Sequence, residues 1–135
     1  MQFKIAIKKY YYEETLDHYN YISYYKNTKY KYITITNSND ITNILNKIIN
    51  NNDYNYSDDD GSYIVKEKYS YKINNKKIEK KDLINKLISI KCLLNTINAK
   101  NKDINKHASN TIYYSITIKE IEEIYKKINE LIEKI

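Results

Sequence analysis

The chain of 135 residues has no Pro, no Trp, no Arg, one Gly and one Cys. One glycine excludes the G-x-G-x-x-G fingerprint, the P-loop and the G-x-S-x-G elbow, each of which needs several glycines for close backbone approach. One cysteine excludes an intrachain disulfide and any Cys-rich zinc or iron–sulfur site. Without Arg, the preferred bidentate reader of phosphate and guanine is missing. No apolar run approaches the roughly 18–20 residues that span a membrane, so no membrane partner is expected. The start, Met1-Gln2-Phe3-Lys4-Ile5-Ala6-Ile7-Lys8-Lys9, is too charged for a signal peptide, and with a single thiol this predicts a cytoplasmic setting.

What is present is Ile, Lys, Asn and Tyr: 25, 23, 19 and 17 residues. All four have A/T-rich codons, so an A/T-rich genome accounts for much of the lysine excess and weakens it as a sign of nucleic acid. Asn takes over the work of Gly, because it tolerates the left-handed region and hydrogen-bonds its own backbone in turns. Its clusters at Asn37/Asn39, Asn50–Asn52, Asn74-Asn75 and Asn98/Asn101/Asn105 are read as element boundaries.

Hydrophobic period assigns the elements. Residues 2–8 alternate, with Phe3, Ile5 and Ile7 on one face, and read as a half-buried strand. Tyr-rich strands follow at His18–Tyr25 and Lys29–Thr36, joined as a hairpin through Lys26-Asn27-Thr28. Ile41, Ile44, Leu45, Ile48 and Ile49 form one helical stripe over 39–50, capped by Ser38 or Asn39. An acidic loop, 51–61, leads to a long strand at 62–73, and Asn74-Asn75 turns it into a short strand ending at Ile78. Leu83, Leu87, Ile90, Leu94 and Ile97 predict a helix over 81–98, with Cys92 as a small buried thiol on its flank. Residues 99–110 read as a polar connection and Thr111–Ile116 as an edge strand. Thr117-Ile118-Lys119-Glu120 reads as a capping box for a helix over 117–135, with Ile118, Ile121, Tyr125, Ile128, Leu131/Ile132 and Ile135 as its stripe. The expectation is one α+β domain over 1–135. It has a mainly antiparallel sheet of four to six Tyr-rich strands and three helices. The two long helices carry matching seams that pack within one chain or zip a homodimer through 117–135.

Two surfaces stand out. Residues 63–106 hold 12 lysines against 4 acids, a net of +8. Lys66, Lys68 and Lys72 project from one strand face, and Lys76 and Lys77 follow at its turn, a comb suited to phosphates. Tyr10, Tyr12, Tyr19, Tyr21, Tyr24, Tyr30 and Tyr32 mark the densest aromatic region, suited to protein recognition.

Catalytic and metal readings are weaker. Asp58-Asp59-Asp60-Gly61 resembles part of a calcium loop, but Tyr56 stands where the first ligand belongs and a strand follows instead of a helix. Nothing in the spacing of His18 and His107 forces them together as an acid–base pair. The expectation is a small non-enzymatic binding protein with no metal and no cofactor. Its compact, motif-free chain suits a phage- or virus-type accessory factor acting on a protein partner, a nucleoprotein included. Inhibition of a host defence complex, of the anti-CRISPR kind, is one such role. The alternative is nonspecific nucleic-acid or nucleotide binding through the lysine comb.

Overall fold

In the computed structural model, which describes residues 1–17, 20–107 and 109–134, six antiparallel strands form one sheet and three helices cover part of one face. In chain order the elements are β1 (Phe3–Asp17), β2 (Asn20–Asn27), β3 (Lys31–Ile35), α1 (Ser38–Asn50), β4 (Tyr54–Ser57), β5 (Tyr63–Ile73), β6 (Lys76–Ile78), α2 (Lys80–Lys106) and α3 (Thr111–Glu133). The α+β expectation holds. None of the described helices is long and apolar enough to cross a membrane.

The frame is the pair β1–β5, which run antiparallel from Ile5↔Ile73 to Thr15↔Tyr63 without a slip. β3 and then β2 line one edge of β1, and β6 and then β4 line the far edge of β5. Lys26-Asn27-Thr28 is therefore not a hairpin turn, since β2 and β3 lie end to end along β1. Three residues, Thr28 to Tyr30, face only Lys8 and Lys9 between the two ladders, which is the arithmetic of a β-bulge. Thr28 holds it: its amide donates to the Lys9 carbonyl at 3.0 Å, and its hydroxyl oxygen accepts the Lys9 amide at 2.9 Å. At Asn74 and Asn75 the backbone takes φ of 44° and 66°, as a two-residue type I′ hairpin requires, so here Asn does substitute for Gly. The one glycine, Gly61, has φ of 71° in the turn before β5.

Only half of the sheet is backed by a core. Phe3, Ile5, Ile35, Tyr71 and Ile73 pack with the stripes of all three helices in one cluster. No residue of β2 or β4 belongs to it, and both strands are exposed along their whole length. The sheet thus continues past the helices as a wing with two solvated faces. Residues 51–61, expected as loop, contain β4, because Tyr54 and Tyr56 add a short edge to β5.

The helices extend the predicted stripes. In α1, Ile41, Ile44, Leu45 and Ile48 are buried as expected, while Ile49 faces solvent. α2 runs 27 residues, to Lys106, because Ile104 lies one heptad beyond Ile97 and is buried on the same seam. Asn98, Asn101 and Asn105 are therefore helical rather than boundary residues. α3 starts at Thr111, so the edge strand expected over 111–116 is helix. The capping box at Thr117 does not exist: Thr117 is buried inside α3, and Asn110 caps the helix through the Tyr113 amide at 3.0 Å. Glu120 instead pairs with Lys100 on α2. The buried stripe of α3 uses Ile124, leaving Tyr125 exposed. α2 and α3 pack as an antiparallel hairpin, so the seam from Thr117 to Ile132 is covered within the chain, while Ile135 lies outside the described residues. Lys86 donates to the carbonyls of Leu131 and Lys134, and Lys76 to that of Glu133, so lysines close the carboxyl end of α3 where no glycine is present. Cys92, expected to be buried, is exposed on α2.

The start of α1 carries a testable cap. Asn37, not Ser38 or Asn39, is the N-cap: its Oδ1 accepts the Asp40 amide at 2.9 Å. Asp40 reaches back and accepts from both the amide and the hydroxyl of Thr36, which holds its carboxyl below the ordinary 3.8. Asn37→Ala is expected to cost about 1 kcal/mol in urea melts at pH 7. Asp40 has a lowered folded-state pKa, so its contribution is complete well above pH 3.8 and fades as the pH falls through the folded value. Asp40→Asn should therefore differ from the parent chain at neutral pH and converge on it in acid. Parallel stability curves across that range would contradict the assignment.

Candidate binding face of the sheet

Partners opposite each other in an antiparallel ladder share a face, so the register sorts every strand residue. The face turned from the helices carries Lys4, Lys8, Tyr10 and Tyr12 of β1. Tyr12 pairs there with Tyr25 of β2 and Lys66 of β5, and Tyr10 with Lys68, while Tyr32 of β3 and Lys72 of β5 flank Ala6 on the same face. Tyr21 stands opposite Leu16 toward the far end, and Lys77 of β6 stands opposite Lys72. The two surfaces read separately in the sequence, tyrosines and lysine comb, are thus interleaved on one open face. Among its described ladder residues six lysines stand against one carboxylate, Glu14.

Side-chain geometry ties the two sets together. The Lys72 ammonium sits 4.2 Å from the centroid of the Tyr30 ring, and that of Lys8 5.5 Å from the same ring. A cation over an aromatic face at these distances is attracted by the ring quadrupole. Tyr10 and Tyr25 meet edge to face at 5.2 Å. Lys8, Tyr10, Asn27, Lys66, Lys68 and Ser70 line a shallow groove of about 400 Å³ running across β1 and β5. The Tyr12 hydroxyl donates to Glu14, and that bond raises its pKa and keeps the phenol neutral. The bond also occupies the one acid of the face.

Several expected residues fall elsewhere. Tyr24 projects to the opposite face, where it meets Tyr11 edge to face at 6.0 Å. Tyr11 donates to Glu13, which pushes its pKa up to about 12. Lys76 alternates away from Lys77, and its ammonium is held by the Glu133 carbonyl. Tyr19 and His18 lie outside the described residues. His107 ends α2 and packs against Tyr113, ring centroids 5.0 Å apart. Two of the three carboxylates of the 58–60 turn are engaged locally: Tyr56 and Ser62 donate to Asp58, and the Ser62 amide donates to Asp60. Among the described residues, no group of three or more His, Cys, Asp or Glu is placed to hold a metal ion. Sequence reading missed Lys4 and Lys8, although the 2–8 alternation already set them opposite the apolar face; Tyr25 belongs to the aromatic region of the sequence but not to its candidate site residues.

No protein-family model, curated protein or solved structure matches the chain.

Proposed function

We propose that the protein is a non-enzymatic binding protein whose open sheet face holds a single-stranded nucleic acid. The observation that carries this reading is the interleaving of Lys8, Lys66, Lys68 and Lys72 with Tyr10, Tyr25 and Tyr30 on one exposed face. Lysines neutralise phosphates and release counterions, and tyrosine rings stack on bases of any kind. Like charges on neighbouring strands repel, a cost that a bound polyanion would offset. With no Arg, the face tracks the backbone and does not read sequence.

A second reading makes protein contact primary, in the manner of a phage- or virus-type accessory factor that blocks a host defence complex in the cytoplasm. β2 favours it. Its outer edge is unpaired, and Tyr21, Ile22, Tyr24 and Tyr25 are all more than half exposed, on both faces. An edge of that kind is a template for another chain. A nucleoprotein partner would use both surfaces at once.

Fluorescence anisotropy of labelled single-stranded RNA and DNA across a salt series tests the first reading. Binding at low salt should fall with a log–log slope of roughly −3 to −4, the value for four to six neutralised phosphates on a single strand. Absence of binding at low salt removes it and leaves the protein-contact reading.

A further inference from the structure

The far edge of β5 is interrupted, because β4 pairs only as far as Glu67 and β6 only from Tyr71. In the gap the Tyr69 amide points outward and is met by Asp53 Oδ1 at 3.0 Å. A cavity of about 400 Å³ opens at this notch, within the range of small-ligand sites. Tyr30, Tyr69 and Tyr71 give it aromatic walls. Tyr71 is 4 % exposed, and its buried hydroxyl makes no close hydrogen bond among the described residues.

The charges around the notch select a ligand. Asp53, Glu79 and Asp82 line it, and Glu79 makes no cap bond to α2 with its side chain. Lys77 and Lys80 line it too, and the Lys80 ammonium is anchored by the Asn51 carbonyl at 2.7 Å and Asn52 Oδ1 at 3.0 Å. Three carboxylates disfavour an anion, and two ammonium groups disfavour an organic cation. A neutral planar group with donors on one side and acceptors on the other satisfies both sets. Guanine fits this description best among the bases. Its adjacent N1–H and N2–H₂ donors match the two oxygens of one carboxylate, and O6 accepts from an ammonium. The notch is continuous with the open face through Tyr30, whose other contacts are Lys8 and Lys72.

We propose that the notch between β4 and β6 binds one guanine base of the strand held on the open face, which rests on the nucleic-acid reading above. The face then holds any strand, and this position alone discriminates.

Calorimetric titration of GMP, AMP, CMP and UMP into the full chain tests it. Saturable binding of GMP, favoured about tenfold or more over the others, is the expected result. Glu79→Gln and the Glu79→Gln/Asp82→Asn pair should lose that preference while binding an adenine homopolymer as before. Equal affinities for the four nucleotides overturn the proposal, as does tight binding of tetramethylammonium in place of GMP. Homopolymer binding without any mononucleotide binding overturns the notch and leaves the face. GMP binding without homopolymer binding overturns the face and leaves the notch as a free-nucleotide site.

Discussion

Leu87→Ala is expected to lower the unfolding free energy by about 3–5 kcal/mol, the largest stability loss of any single change considered for this chain. Leu87 is fully buried in the first third of α2, the element that touches α1, α3 and β5. Truncation there removes transfer free energy and leaves a cavity that three rigid neighbours cannot fill. Total stability for a domain of this kind is roughly 5–15 kcal/mol, so the variant loses about a fifth of it or more. The next residue is the control. Ile88 is 47 % exposed on the same helix, and Ile88→Ala should cost well under about 1 kcal/mol. Urea melts with unchanged slope read both values. Equal losses at the two positions would mean that the buried stripe of α2 is misassigned.

The largest binding effect is expected from removing Lys8, Lys66, Lys68 and Lys72 together as alanines. Each lysine on a single strand contributes about 0.7 to the salt slope, so the slope should drop by about 3. Carried to 50 mM salt, that drop is an affinity loss of roughly 10³-fold. The fold should survive, because these side chains are exposed or half-buried and face away from the core. The contact of Lys72 with Tyr30 is worth only about 0.5–1 kcal/mol. Lys47, Lys102, Lys126 and Lys127, exposed on the helices, form the control set, since their removal changes the net charge equally. If both quadruple variants weaken binding alike, the attraction belongs to the net charge and not to the face.

Local pattern was a good guide wherever one face of an element is buried. The alternation at Phe3, Ile5 and Ile7, the α1 stripe except Ile49, the long strand ending at Ile73 and the Asn-Asn hairpin are present as read. It failed where polar sequence hid a buried seam or a strand was solvated on both faces. Residues 99–106 look like a connection, yet Ile104 keeps the α2 seam in register with α3. Residues 111–116 alternate like a strand, but Asn110 caps a helix there, and the buried stripe that anchors that helix starts only at Thr117. Cys92 sits two residues from both Ile90 and Leu94 of the seam, which puts it on the opposite side of the helix and turns its thiol outward.

The candidate face shows the same division. Composition and period alone determined that Lys66, Lys68 and Lys72 share one side of a strand, and that Tyr30 and Tyr32 lie opposite Ile33 and Ile35. Alternation along a strand is a property of the strand itself. Two long-range choices had to be made by the tertiary structure. The β1–β5 register sets Tyr10 opposite Lys68 and Tyr12 opposite Lys66, and a one-residue slip would have put them on opposite faces. The helices then pack on the Ile5–Ile73 face and leave the other bare. Neither choice is visible in local sequence, because each is made by apolar side chains that lie far apart along the chain and meet only in the core.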